Sequence, residues 1–236
     1  MTKNNAAPKP QQIKRVHNPE VLQTDAARYA KEAVKLGATD AKSIKASEIV
    51  IDERVRLRCM LPMCYCWGHS IYCPPHGPAV ETCKSLVAKF QLGVLMKMEV
   101  DPHILSGYNL PEVVANLKAG REDPDAPKLM EFDRIYHVLY DMVGKIEAMA
   151  FYDGYHLAMC FAAGTCNVTL CQGQPCLVRK GGTCRFPLRA RPSMEAFAMD
   201  VYRTVTKVGW AIYPLGCRCD LSEVKHGTLV GLVLLD

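Results

Sequence analysis

Cys59, Cys64, Cys66 and Cys73 are separated by four, one and six intervening residues, and Cys166, Cys171, Cys176 and Cys184 by four, four and seven. Thiolates are soft ligands, and four of them on a shaped loop can hold either an iron–sulfur cubane or a single zinc ion. Zinc knuckles present C-x2-C pairs around one small ion. No two cysteines of this chain have that spacing. The pattern therefore points to two 4Fe–4S clusters, one per loop, with zinc in both loops as the alternative. Pro74 directly after Cys73 fixes φ and removes a donor, which turns the backbone away from a bound cluster. Arg58, Arg179, Lys180 and Arg185 flank the two groups. They either offset thiolate charge or are solvated loop charges.

The other thiols divide by context. Cys83 lies on the apolar face of a predicted helix and Cys160 inside an apolar strand, so both read as buried core thiols. Cys66 is a ligand or a bystander of the first loop. Cys217 and Cys219, one residue apart on a predicted turn, have three readings: they complete the first site, hold a third metal, or are surface residues. His69 and His76 bracket Cys73 and either replace a missing ligand or are polar surface. Tyr65, Trp67 and Tyr72 are expected to form the apolar shell of a cluster. Arg191 and Glu195 are expected to anchor a helix beside the second site.

Twelve cysteines in a chain of 236 residues would suit a disulfide scaffold only in an oxidising compartment and a small core. A chain of this length buries a sizeable core unaided. Residues 1–20 are polar, with no apolar stretch of the kind a secretory signal needs, and no apolar run approaches the roughly 20 residues of a membrane span. The expectation is a cytoplasmic protein without membrane insertion. Lysine and arginine exceed aspartate and glutamate by five, but no basic run or aromatic-interleaved basic stripe occurs, which argues against nucleic-acid binding. No phosphate-binding glycine loop, dinucleotide fingerprint, nucleophile elbow or H-E-x-x-H is present.

The elements that must position these loops read as follows. Residues 1–20 form a flexible arm, and 21–236 form a single metal-binding domain with cysteine loops at 58–78 and 164–188. Thr24 or Asp25 caps a first helix that Gly37 closes. A strand is expected over 43–57, a helix over 78–90 and a strand over 92–100. The segment 101–127 is a loop with a short helix near 112–118. A long amphipathic helix runs from Leu129 to Gly154 with a 3.6 period. A buried strand covers 156–163, and Ser193 caps a helix that ends near Lys207. Two last strands at 210–213 and 227–235 make a hairpin-like end. The fold class is α/β or α+β: a mixed sheet covered by three or four helices, with two irregular cysteine-rich loops.

The stretch R-C-x4-C-x2-W-G-x4-C-P-P-x2-P at 58–78, with G-x-C at 164–166, C-R-x-P-x3-R-P-S-M-E-A at 184–196 and D-V at 200–201, resembles the cysteine-rich "predicted metal-binding protein" family of anaerobic bacteria and archaea. The resemblance covers roughly residues 25–235. It implies that Cys59, Cys64, Cys73, Cys166, Cys171, Cys176 and Cys184 bind metal, and it assigns no reaction. The second group is spaced more widely than the family's C-x2-C-x2-C. Three functions follow as expectations. The first is a one-electron iron–sulfur carrier, serving a redox partner or a larger anaerobic enzyme complex. The second is an enzyme whose first cluster has only Cys59, Cys64 and Cys73, leaving one iron open. The third is a structural zinc module.

Overall fold

The structure is a computed structural model that describes residues 9–13, 18–106, 108–216 and 220–236. Its strands are Asp40–Lys45 (β1), Leu92–Val100 (β2), Met159–Phe161 (β3) and Gly227–Leu235 (β4), paired antiparallel in the order β1-β2-β4-β3. β2 and β4 are apolar almost throughout, as strands covered on both faces must be. They pair along their full length, Leu92 opposite Leu235 and Val100 opposite Gly227.

Because side chains alternate between faces, each strand feeds two cores. Val94, Met96 and Val233 pack with Tyr29 of helix α1 (Pro19–Lys35). Leu95, Leu232 and Leu234 pack on the other face. The long helix over Ala126–Tyr152 presses its Leu139 and Val143 onto the first face at Gly231. A Cβ there would meet Val143 Cγ1 at 2.6 Å and Leu139 Cδ1 at 3.0 Å, so only glycine admits this close approach. The second face carries Cys83 and Val87 of the helix Val80–Val87, Val205 of the helix Val201–Lys207, and Met194 and Phe197 of the segment between. The result is an α+β sandwich of helix, sheet and helix, the expected class. The sheet, expected to be mixed, is antiparallel in all its named strands.

In chain order the remaining helices are α2 (Glu53–Met60), α4 (Pro102–Leu105), α5 (Leu110–Lys118) and α7 (Cys166–Thr169). The three already described, after α1, are α3 (Val80–Val87), α6 (Ala126–Tyr152) and α8 (Val201–Lys207). Among the described residues no helix is long and apolar enough to cross a membrane.

Several boundaries differ from expectation for local reasons. α1 starts at Pro19 because Asn18 accepts from the Glu20 N–H at 2.8 Å and proline suits the first turn. Thr24 and Asp25 lie inside it. The strand expected over 43–57 stops at Lys45, and Asp52 then caps α2 through the Arg54 N–H. The helix expected from Ser193 breaks at Ala198, whose φ is +59°, and α8 takes Asp200 as its own cap. Residues 210–213 form no strand, and β4 lies inside the sheet rather than in a terminal hairpin. Within the expected arm, the Gln11 N–H donates to Tyr152 O at 2.7 Å, which lays residues 9–13 on the end of α6.

Candidate functional site

The first cysteine loop leaves α2 and folds as a succession of turns closed on cysteine carbonyls. The Cys64 N–H donates to Cys59 O at 2.9 Å, Trp67 to Cys64 O at 2.9 Å, His69 to Cys66 O at 3.1 Å and His76 to Cys73 O at 3.0 Å. Each turn reverses the chain about a thiol, which brings Cys59, Cys64, Cys66 and Cys73 to one cavity of about 380 Å³. The second loop leaves β3 and enters α7, capped by Thr165 through the Asn167 N–H at 3.3 Å. Its Cys166 O accepts the Cys171 N–H at 3.1 Å, and Asn167 Nδ2 donates to Gln174 O at 2.6 Å. Cys166, Cys171, Cys176 and Cys184 line a separate cavity of about 290 Å³.

The two loops meet. Ser70 Oγ lies 3.2 Å from Cys166 Sγ, and Cys73 Sγ lies 3.3 Å from Thr165 Oγ1. The Ile71 backbone N–H of the first loop also reaches the Cys176 sulfur of the second. Ser70 and Tyr72 line the second cavity, while Gly164 and Thr165 line the first. Gly164 makes the junction possible. Its φ is +67°, and a Cβ there would sit 2.7 Å from Cε1 of Tyr136 in α6.

Electrostatics separate the thiols. The Cys66 thiol and its backbone N–H, the latter at 3.4 Å, both favour the Cys64 thiolate and bring its pKa down to about 6. Sharing that proton with Cys64, then burial, push the Cys66 thiol up. Burial raises Cys59 and Cys73 and takes Cys166 up to about 12. Burial also pushes on Cys176, but backbone N–H groups of Ile71, Arg179 and Val178 outweigh it and bring this thiol down. A sulfur that accepts several N–H groups is prepared to be a thiolate.

Ten of the twelve cysteines are described and all ten are free. The structure gathers eight of the ten expected site cysteines, Cys66 included, into the two cavities. Cys217 and Cys219 lie outside the described residues. Cys83 and Cys160 are fully buried in the two cores, as expected of structural thiols. His69 and His76 line neither cavity, and His69 packs edge-on against Tyr65 at 5.6 Å. Tyr72 is half-buried against the second group and fits the expected shell, whereas Tyr65 is exposed. Arg185 donates to Pro175 O at 2.8 Å beside the second cavity, and Arg58 opens on a groove outside the first.

Arg191 is the anchor that the sequence suggests. It pairs with Glu147 at 2.5 Å, and Glu147 Oε1 also accepts the Cys160 N–H at 2.8 Å, tying the second loop to α6 and β3. Glu195 departs from expectation. Rather than anchoring a helix it lines the first cavity along with the four cysteines, close enough to act on the Cys59 thiol. Burial raises its carboxyl, against the Ser193 hydroxyl and a backbone N–H that favour the charge. Its place two residues past Arg191-Pro192-Ser193, outside any cysteine run, gave no signal of this.

The thiol-only donor sets suit a soft metal centre, since deprotonated cysteines bind zinc and iron–sulfur units alike. Among the described residues no three histidine, cysteine or acidic side chains close on a single ion position. The family described as "predicted metal-binding protein" matches residues 42–235, which takes in both loops. No curated protein and no solved structure matches the chain.

Proposed function

We propose that this chain, which belongs to the predicted metal-binding protein family, carries two iron–sulfur clusters and passes single electrons to or within a larger redox assembly. Cys59, Cys64, Cys66 and Cys73 would hold the first cluster, and Cys166, Cys171, Cys176 and Cys184 the second. The observation that carries this reading is the contact between the loops: one thiol of each foursome touches the other loop, Cys166 at Ser70 and Cys73 at Thr165. Two redox centres side by side are of use to an electron relay. Two structural zinc ions would gain nothing from that proximity.

Four thiols spread around a cavity also fit a body of several atoms better than one ion. A 4Fe–4S cluster supplies one-electron chemistry at a potential tuned by charge, hydrogen bonds to sulfur and solvent access. This chain's own residues set those terms. Ile71, Val178 and Arg179 direct N–H groups at Cys176, and the Cys66 N–H points to Cys64. Such donors stabilise the more negative, reduced form. Cys66 stands with the other three thiols of the first loop, so the first centre is read as fully ligated.

Low-temperature EPR of the fully reduced protein tests the relay. Neighbouring paramagnetic centres predict a spectrum broadened by spin–spin interaction, which reverts to a simple isolated signal in Cys171→Ser. Two independent, unbroadened signals in the parent protein would contradict the adjacency on which the proposal rests.

A further inference from the structure

The two cysteine cavities are unequal. The second is lined by its own loop and by residues that touch it, whereas the first extends well beyond its four thiols to the start of β4, α6, α8 and the segment after α8. β3 ends at Phe161 opposite Leu232, so β4 from Thr228 to Val230 has no strand partner on that side, and the hollow forms there. Its other walls include Glu195, Tyr136, Tyr202 and Tyr213. Among the described lining residues there is no lysine, arginine or histidine. Glu195 lines the hollow and makes no ion pair with any described residue, and the Ser193 hydroxyl stands beside its carboxyl. A further groove of about 540 Å³ shares Cys59, Cys64, Glu195 and Tyr202 with this cavity and leads outward between Arg54, Arg58, Asp52 and Asp200, a charge-balanced mouth.

A hollow with one carboxyl, several phenol rings and, among its described lining residues, no positive side chain has the composition that recognises organic cations, by charge and by attraction to aromatic faces. We propose that the cavity beside the first cysteine group binds a small organic cation of the alkylammonium class, with Glu195 as counter-charge and Tyr136, Tyr202 and Tyr213 as its aromatic lining. The inference goes beyond the reading of this site as a metal centre and stands on Glu195, the three tyrosines and the shape of the cavity. The cation occupies the part of the cavity bounded by β4 and α8, and the cysteine loop bounds the other part.

Calorimetric titration of anaerobically prepared protein with tetramethylammonium tests this. That ion has a fixed charge and no lone pair, so it reports the cavity and cannot ligate iron. The neutral control is tert-butanol, of similar size. The expected result is saturable one-site binding of tetramethylammonium, with tert-butanol at least about tenfold weaker. Glu195→Gln keeps the shape and removes the charge, and should weaken tetramethylammonium by at least about tenfold while leaving tert-butanol unchanged. Equal affinity for the two probes, or no binding of the cation by the parent protein, overturns the proposal, and this comparison decides it even if the glutamine variant does not fold. Iron assayed on the same sample separates the two readings. Cation binding by iron-free protein leaves the cavity assignment standing and sinks the clusters, and iron-loaded protein without cation binding does the reverse.

Discussion

Replacing Gly164 by alanine perturbs the junction of the two loops at one atom. The residue sits at φ +67°, a left-handed conformation that costs a non-glycine residue roughly 1–2 kcal/mol. The added Cβ would lie 2.7 Å from Tyr136 Cε1 and 3.3 Å from its Cδ1. That is nearly 1 Å inside the ~3.5–4.0 Å optimum for carbon contacts. Tyr136 cannot swing aside freely, because its ring stacks on Phe132 with centroids 4.3 Å apart. Overpacking of this kind adds about 1–3 kcal/mol. Gly164→Ala is therefore expected to lose about 2–5 kcal/mol, as a lower urea midpoint at unchanged m-value. In a Tyr136→Ala background the steric part disappears, and the same substitution should cost only the backbone share of roughly 1–2 kcal/mol. An equal cost in both backgrounds would refute the contact. A cost near zero in the parent would refute the backbone conformation as well.

Two further expectations follow from the same structure. The Tyr29 hydroxyl donates to Asp153 Oδ2 at 2.7 Å and that of Tyr155 to Asp25 Oδ2 at 2.8 Å, and burial followed by these carboxylates raises both phenols. The folded protein thus keeps two protons that the unfolded chain releases near pH ~10, so stability is full below that pH and falls as pH rises through it. Urea midpoints measured between pH 8 and pH 11 (about the ordinary phenol range) should fall steeply in the parent and less in Tyr29→Phe combined with Tyr155→Phe; parallel curves would contradict the assignment. Cys171→Ser should lose roughly half the bound metal and destabilise the fold, because metal binding and folding are linked, whereas Cys83→Ala should keep the full metal content. Equal metal loss in the two variants would show that the cavity foursomes are not the binding units.

The sequence carried the parts of this account that depend on periodicity and spacing. β2 has the bounds its apolar run implies, and α6 follows its 3.6 period to within a few residues. Both loops are legible because four thiols at short gaps have few other uses, and Cys83 and Cys160 fall in the cores as their apolar neighbours require. What failed was decided by single side chains and distant contacts. Asn18 starts α1 earlier than apolar patterning places it, Asp52 caps a helix where that patterning reads a strand, and Ala198 breaks a helix by taking a positive φ. The alliance of the two loops depends on Ser70 meeting Cys166, 96 residues away along the chain. Glu195 is a site residue only because β3 is short enough to leave β4 open beside it. Neither relation has a local trace in the sequence.

Metal and sulfide analysis of anaerobically purified protein addresses the central claim most directly. Two filled cubane sites predict a brown protein with about eight iron atoms and a similar amount of acid-labile sulfide per chain. Stoichiometric zinc with neither iron nor sulfide would contradict the account.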